Sequence, residues 1–323
     1  MSSYLIGHDV GGTKCAVILG KADGGEIEII DRIQFPTHSD LGPEQTLVNF
    51  ERYTKEIMTR NDLDVSQARA IGISCGGPIS SANGTVLSPP NLPGWDEIHI
   101  VERFEKSFGL PVRLENDANA CALAEWRWGA GKGCRNLIFM TFGTGLGAGL
   151  VLDGRLYSGT NDLAGEVGHV RLADDGPEGY GKRGSFEGFC SGGGIARLAR
   201  EMALSAISDG KPALYCPTVN KLDSISARTV AEAANQGDPV AKEVYRIVGT
   251  QLGKGLAMLI DILNPEVIVI GSVFARQRDL LWPVAEKVIN AEALPGAVAV
   301  CKVLPAALGE AIGDYASLSL AAG

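Results

Sequence analysis

Residues 9–14 read DVGGTK, and residues 141–149 read TFGTGLGAG. Each is a Gly/Thr turn set between apolar, strand-like runs. This repeated strand–turn–strand pattern constrains the chain more than any other feature. Glycine lets backbone approach a neighbour closely and point N–H groups at an anion. Two such turns, one in each half, suit a nucleotide held by two related lobes. The first is not a Walker A loop, because no Gly-Lys pair here is followed by Ser or Thr, and it is not GxGxxG. Its alternative is a plain hairpin turn with Gly11 and Gly12 at positive φ. The alternative for the second is a tight glycine bend packed against a neighbouring strand.

The chain between the turns alternates strands and helices, which predicts an α/β class. Strand-like runs at 4–9 and 14–19 form a hairpin around DVGGTK, and a third strand covers 27–34. Apolar residues Leu47, Phe50, Tyr53 and Ile57 have helical spacing in 43–61, which opens with Pro43. Strands follow at 70–76 and 111–116, a Pro-rich loop at 85–96, and helices at 99–108 and 118–129. The scheme restarts with strands at 136–142 and 149–154. Helical spacing resumes over 190–207, two helices fall within 228–263, and a helix covers 277–293. Strands at 264–271 and 299–305 precede a final helix at 309–321. A length of 323 residues fits about two domains. The predicted division lies near Asp117, giving lobes 1–117 and 118–305, with 306–323 returning to the first.

Composition excludes several functions. Net charge is −9 with no Lys/Arg cluster, and only 6% of residues are aromatic, so neither a nucleic-acid footprint nor a base-stacking platform is expected. No run is long and apolar enough for a membrane span. The start, MSSYLIGHDVGG, lacks the pattern of a signal peptide. Seven scattered cysteines without a CxxC pair indicate a reduced, cytoplasmic setting.

Asp9, Lys14 and several further stretches carry candidate chemistry. Asp9 ends an apolar strand, a place for a charge that faces a cleft and holds Mg²⁺ directly or through water. Lys14 meets a phosphate or stays a solvated strand residue. In LENDANA (114–120), Asn116 and Asp117 read as helix N-caps. Asp117 also reads as a general base, because a carboxylate at a helix N-terminus is favoured in its charged form. AGEVGHV (164–170) places Glu166 and His169 in a Gly-rich stretch, and Glu187 follows in GSFEG. Short polar side chains on loops suit sugar hydroxyls, which need donors and acceptors. The plainer readings are a satisfied turn histidine and a solvated glutamate. Asn91, Pro93, Gly94 and Trp95 close the same pocket or form a Pro-directed turn with Trp95 in the core.

Taken together, DVGGTK, NLPGW (91–95), LENDANA, the run 141–154, EVGH (166–169) and NPEVIVIG (264–271) resemble the ROK family of bacterial sugar kinases and repressors. The resemblance covers nearly the whole chain, in the family's motif order. It implies the two-lobed actin-like ATPase (ribonuclease H-like) fold, with a central cleft and the final helix packed on the N-terminal lobe. It implies Asp117 as the base that takes the proton of the attacking sugar hydroxyl. Gly11, Gly12 and Thr13 resemble the first phosphate loop, and Gly143, Thr144 and Gly145 the second. Asn91, Asn116, Asp117, Glu166, His169 and Glu187 resemble the hexose-binding set, and Gly271 lies where adenosine-side glycines lie. The implied activity is ATP- and Mg²⁺-dependent phosphorylation of a hexose, glucose at its 6-hydroxyl first. N-acetylmannosamine, allose, fructose, a β-glucoside or a non-catalytic sugar sensor are the alternatives. A homodimer is implied as well.

Two departures stand out. The family's zinc pattern CxCGxxGCxE aligns here with Glu178, Tyr180 and Ser185 at the cysteine positions, so no zinc site is expected. Ser272 and Val273 stand where further glycine follows Gly271. Repressor members carry an N-terminal helix-turn-helix domain, for which eight residues ahead of DVGGTK leave no room.

Overall fold

A computed structural model describes residues 3–323. The chain forms two compact units: 1–135 with 149–164 and 307–323, and 136–148 with 165–306. The first crossing therefore comes at Arg135/Asn136, one helix beyond Asp117.

In unit 1, β1 (Ser3–Val10), β2 (Lys14–Asp23) and β3 (Glu26–Pro36) form an antiparallel meander. Helix α1 (Pro43–Arg60) leads to β4 (Ala68–Cys75). A small hairpin, β5 (Ile79–Ser80) and β6 (Thr85–Val86), precedes α2 (Ile100–Phe108), β7 (Val112–Asn116) and α3 (Asp117–Trp128). The sheet order is β3–β2–β1–β4–β7, with β1, β4 and β7 parallel.

Alternation along β1 sends successive side chains to opposite faces. Ile6, His8 and Val10 face one core with Phe50, Ile57, Trp95 and Phe104. His8 is fully buried there, bonded through Nε2 to Thr54 Oγ1 at 2.9 Å. Burial pushes its pKa down to about 3, so it stays neutral. Leu5 faces a second core with Ile18, Ala70 and Leu318. The last helix, α11 (Ile312–Ala321), lies on that second face. Glycine makes the close approach possible. A Cβ at Gly72 would sit 2.7 Å from the Ala321 nitrogen, and one at Gly20 would sit 2.8 Å from a Leu318 methyl.

The second half begins with β8 (Leu137–Phe142), β9 (Leu146–Leu152) and β10 (Arg155–Leu156). Strand β9 starts three residues earlier than the hydrophobic run suggested, inside the glycine run, because only Gly143–Gly145 form the turn. A small hairpin, β11 (Glu178–Gly179) and β12 (Lys182–Arg183), is followed by α4 (Phe186–Phe189) and α5 (Gly192–Ser208). Helices α6 (Ala227–Asn235) and α7 (Pro239–Leu263) open on Ser226 and Asp238 caps. Then come β13 (Val267–Ile270), α8 (Val273–Arg276), α9 (Arg278–Glu292), α10 (Pro295–Val298) and β14 (Lys302–Pro305). The second sheet has the order β10–β9–β8–β13–β14, and the boundary between the units passes through β9, between Ala148 and Gly149. No described helix is long and apolar enough to cross a membrane.

Candidate active site

The parallel register of unit 1 sets Val10, Cys75 and Asn116 abreast at the carboxyl ends of β1, β4 and β7. In open α/β sheets that edge is where ligands bind. Asp9 lies one residue before it, and the DVGGTK turn continues beyond it.

The turn closes the hairpin of β1 and β2 as expected, but Gly11 and Gly12 are not at positive φ. They are needed for close approach instead. A Cβ on Gly11 would lie 2.6 Å from the Lys14 carbonyl oxygen, and one on Gly12 would lie 2.6 Å from that of Asn91. The structure thus brings Asn91 against the first turn. Thr37 fixes the turn from behind. Its N–H donates to Thr13 O at 3.0 Å and its hydroxyl to Gly11 O at 2.5 Å. Thr13 and Lys14 are exposed. Trp95 is fully buried in the core, which settles it as a packing residue.

Asn116 is the N-cap of α3, its Oδ1 accepting from Ala118 N at 2.9 Å. Asp117 is the first helical residue rather than a cap, and its Oδ1 accepts from the same N–H at 2.7 Å. Glu115, which sequence reasoning passed over within LENDANA, braces this corner. It is buried, accepts from Asn116 N at 2.8 Å and from Asn119 Nδ2 at 3.0 Å, and burial raises its pKa.

Asp9 faces the first turn of α11: a Cβ on Gly313 would be 3.1 Å from its Oδ2. Burial first, then the negative charges of Asp314 and Asp117, raise the Asp9 carboxyl to about 6, against smaller opposing effects of Arg32 and Lys14. Asp314 is held by Arg32 at 2.8 Å, whereas Asp9 makes no salt bridge among the described residues. Asp314 was invisible as a partner of Asp9 because the two lie at opposite ends of the sequence.

In unit 2, β8 and β13 are parallel with Met140 beside Ile270, so the second turn and Gly271 share one strand edge. Gly143 N donates to Gly145 O at 3.1 Å, and Gly143 O accepts from Gly192 N at 2.7 Å. A cavity of about 790 Å³ is lined there by Gly143, Thr144, Gly193, Ser272, Arg276 and Arg228, among others. That volume is in the range of small-molecule sites. Gly192 and Gly193 were missed as site residues. The signal was the SGGG run, where Ser191 caps α5 by accepting from Gly194 N at 2.9 Å. Ser272 adopts φ 56° and ψ −112°, a region glycine favours, which explains why glycine was expected nearby. Ser272→Gly is expected to stabilise the protein by about 0.5–1 kcal/mol. Thermal unfolding checks this, and an unchanged or lower Tm counts against strain at this position.

Glu187 is tied to the second turn. Its Oε2 accepts from Leu146 N at 3.0 Å, and a Cβ on Gly145 would lie 2.8 Å from the same atom. Glu166 precedes a short 3₁₀ turn, Val167–His169, whose last residue is His169. Gly168 lets that turn close on Glu187, whose Cβ lies 3.3 Å from where a side chain would begin. Glu166, His169 and Glu187 are therefore neighbours, as are Gly145 and Glu187.

A family model for the ROK family matches residues 5–322. The chain belongs to the ROK family. This ROK chain is 32% identical to a glucokinase of Thermotoga maritima over 98% of its own length and 96% of the relative's. It is 32% identical to a glucokinase of Halalkalibacterium halodurans, covering 90% and 87% of the two chains. A ROK family glucokinase from Streptomyces griseus, solved with glucose and AMPPNP, superposes with a TM-score of 0.74 at 30% identity, covering 98% and 99%. The architecture is thus that of the α/β, actin-like ATPase ROK sugar kinases.

Among the described residues no group of three or more His, Cys, Asp or Glu is placed to hold a metal. Mg²⁺ bound chiefly by phosphate and water needs only one or two carboxylates. Asp9, without a salt bridge, fits that mode. At the positions aligned with the ROK zinc pattern, other contacts hold the segment. Ser185 caps α4, accepting from Gly188 N at 3.0 Å and donating to Gly179 O at 3.1 Å, while Tyr180 packs on His169.

Proposed function

We propose that this protein is an ATP-dependent hexose kinase that phosphorylates glucose at its 6-hydroxyl. The observation that carries the reading is the strand edge of unit 1. Asp117, Asn116, Asp9 and the DVGGTK turn all lie at the carboxyl ends of β1 and β7. A base and an anion cradle on one edge suit transfer of a phosphoryl group to a hydroxyl.

In this reading Asp117 accepts the proton of the sugar hydroxyl as its oxygen bonds to the γ-phosphorus. The bond from phosphorus to the β–γ bridging oxygen breaks, and ADP leaves with that oxygen. Gly11, Gly12 and Thr13 in unit 1, and Gly143, Thr144 and Gly145 in unit 2, bind phosphate through backbone N–H groups and hydroxyls. Lys14 adds positive charge. The cavity next to Gly143 receives the nucleoside, with Gly271 at its edge. Asn91, Asn116, Glu166, His169 and Glu187 hydrogen-bond sugar hydroxyls and orient the acceptor. Asp9 would hold Mg²⁺, which when bound neutralises phosphate charge.

Similarity to proteins named glucokinase supports glucose as the acceptor. A coupled ADP-release assay across hexoses and amino sugars tests it, with the highest kcat/KM expected for glucose. A higher value for N-acetylmannosamine, allose, fructose or a β-glucoside reassigns the acceptor. No ADP with any sugar removes the kinase reading and leaves a sugar sensor. Glu166→Gln is expected to raise the sugar KM about tenfold with less than about a threefold change for ATP. An unchanged sugar KM in steady-state kinetics takes Glu166 out of the sugar set.

A further inference from the structure

Tyr180 occupies the turn between β11 and β12, beside Gly179 and Gly181. Its φ of 54° lies in the left-handed region, a costly conformation for a bulky side chain. The residue is 60% exposed, so the strain is not offset by burial in a core. The hairpin itself has other supports. Glu178 pairs with Arg183 in register, and Ser185 Oγ holds the Gly179 carbonyl.

The ring is nonetheless placed with precision. Its centroid is 3.9 Å from that of His169, tilted by 59°. Burial, then the charges of Glu166 and Glu187, raise the pKa of the phenol, so both carboxylates act on this tyrosine. Tyr180 therefore stands among the three side chains assigned to sugar hydroxyls in unit 2. A two-residue hairpin turn with positive φ at both Tyr180 and Gly181 favours Asn, Asp or Gly at the first position, so the turn does not account for a tyrosine there. An aromatic ring with a polar end suits a sugar, which offers both C–H faces and hydroxyl edges.

We propose that Tyr180 positions His169 and sets acceptor specificity, its ring fixing the imidazole and its hydroxyl end bounding the sugar site beside Glu166 and Glu187. The assignment rests on the sugar-binding reading of those residues. The ring keeps the imidazole from turning away from the acceptor, and it closes the space that a bulkier, N-acetylated hexosamine would take.

The test uses the full chain with Tyr180→Ala, Tyr180→Gly and Tyr180→Phe. Sugar KM, ATP KM, kcat and Tm are measured for each. The Ala and Gly variants are expected to raise the glucose KM about tenfold, leave the ATP KM within about twofold, and narrow the preference for glucose over N-acetylated hexosamines. Tyr180→Phe keeps the ring and is expected to stay within about threefold of the parent. Tyr180→Gly relieves the backbone, so its Tm is expected at or above the parent's, which separates lost affinity from lost folding. A glucose KM within about twofold of the parent in both small variants overturns the proposal, as does an equal rise in ATP KM. If the parent turns over no sugar, the kinase reading has failed. Calorimetric glucose binding then decides the role of Tyr180 by the same tenfold criterion, and a parent that binds no sugar overturns it too.

Discussion

Asp117→Asn lowers kcat by at least about a hundredfold while glucose binding stays within a few-fold of the parent. The substitution is nearly isosteric. It keeps an oxygen for the Ala118 N–H that now bonds Oδ1 at 2.7 Å, so the first turn of α3 survives. The Asn116 cap is untouched. What is lost is the capacity to accept a proton, and general-base catalysis contributes roughly 10²–10⁴ in rate. Steady-state kinetics with calorimetric sugar binding separates the two effects. Turnover within about tenfold of the parent removes the base assignment. A second readout follows from the electrostatics. The charge of Asp117 helps to raise the Asp9 carboxyl, so the variant's residual activity is expected to persist to lower pH than the parent's.

Asp9→Asn produces opposite signs in stability and activity. The folded-state pKa of Asp9 is about 6, above the ordinary aspartate value of 3.8. The folded state therefore holds this proton more tightly than the unfolded chain. Stability from this group is present below about pH 4 and is lost as pH rises through about 6. Above that, the buried charge is a penalty of at most about 3 kcal/mol, and the partial exposure of the side chain reduces it to about 1–2 kcal/mol. Asparagine removes the penalty, so the variant is expected to be more stable than the parent at about pH 8 and nearly equal to it at about pH 4. Denaturant unfolding at both pH values checks this. A stability difference that does not depend on pH refutes the linkage. Activity should fall by about a hundredfold or more, because the carboxylate proposed to hold Mg²⁺ is gone. In the parent, activity should decline below about pH 6 as Asp9 takes up its proton.

Strand order of appearance and the helix pattern were legible because local rules govern them. Pro43 starts α1, Asp238 caps α7, and β-type alternation marks β1. The two Gly/Thr turns were legible as turns, but not the reason for their glycines. Gly11 and Gly12 yield to the carbonyls of Lys14 and Asn91, and sequence records no such approach. Asp117 stood out because a carboxylate opens a helix directly after a strand. Glu115 and Asp314 did not, since the roles of both depend on what the fold packs against them. Trp95 was left open between the pocket and the core, and the structure puts it in the core. A site-like NLPGW motif keeps only Asn91 at the turn, while its tryptophan fills the core. The tryptophan's place was set by volume, which a motif does not encode. Tyr180 read only as the residue standing where a cysteine was expected, and its contact with His169 required the hairpin's geometry.

The chain passes between its two units at 135/136, 148/149, 164/165 and 306/307. No single cut can therefore release either unit whole. The glycine-floored face of the first sheet waits for α11, which follows the entire second unit in sequence. During synthesis on the ribosome, the N-terminal sheet emerges first but stays uncovered on that face until residues 312–321 arrive. Asp9 acquires its neighbours Gly313 and Asp314 at the same moment. Completion of the corner around Asp9 is thus coupled to translation of nearly all of the chain, and a truncated product lacking α11 should lack the finished corner proposed to hold the metal as well.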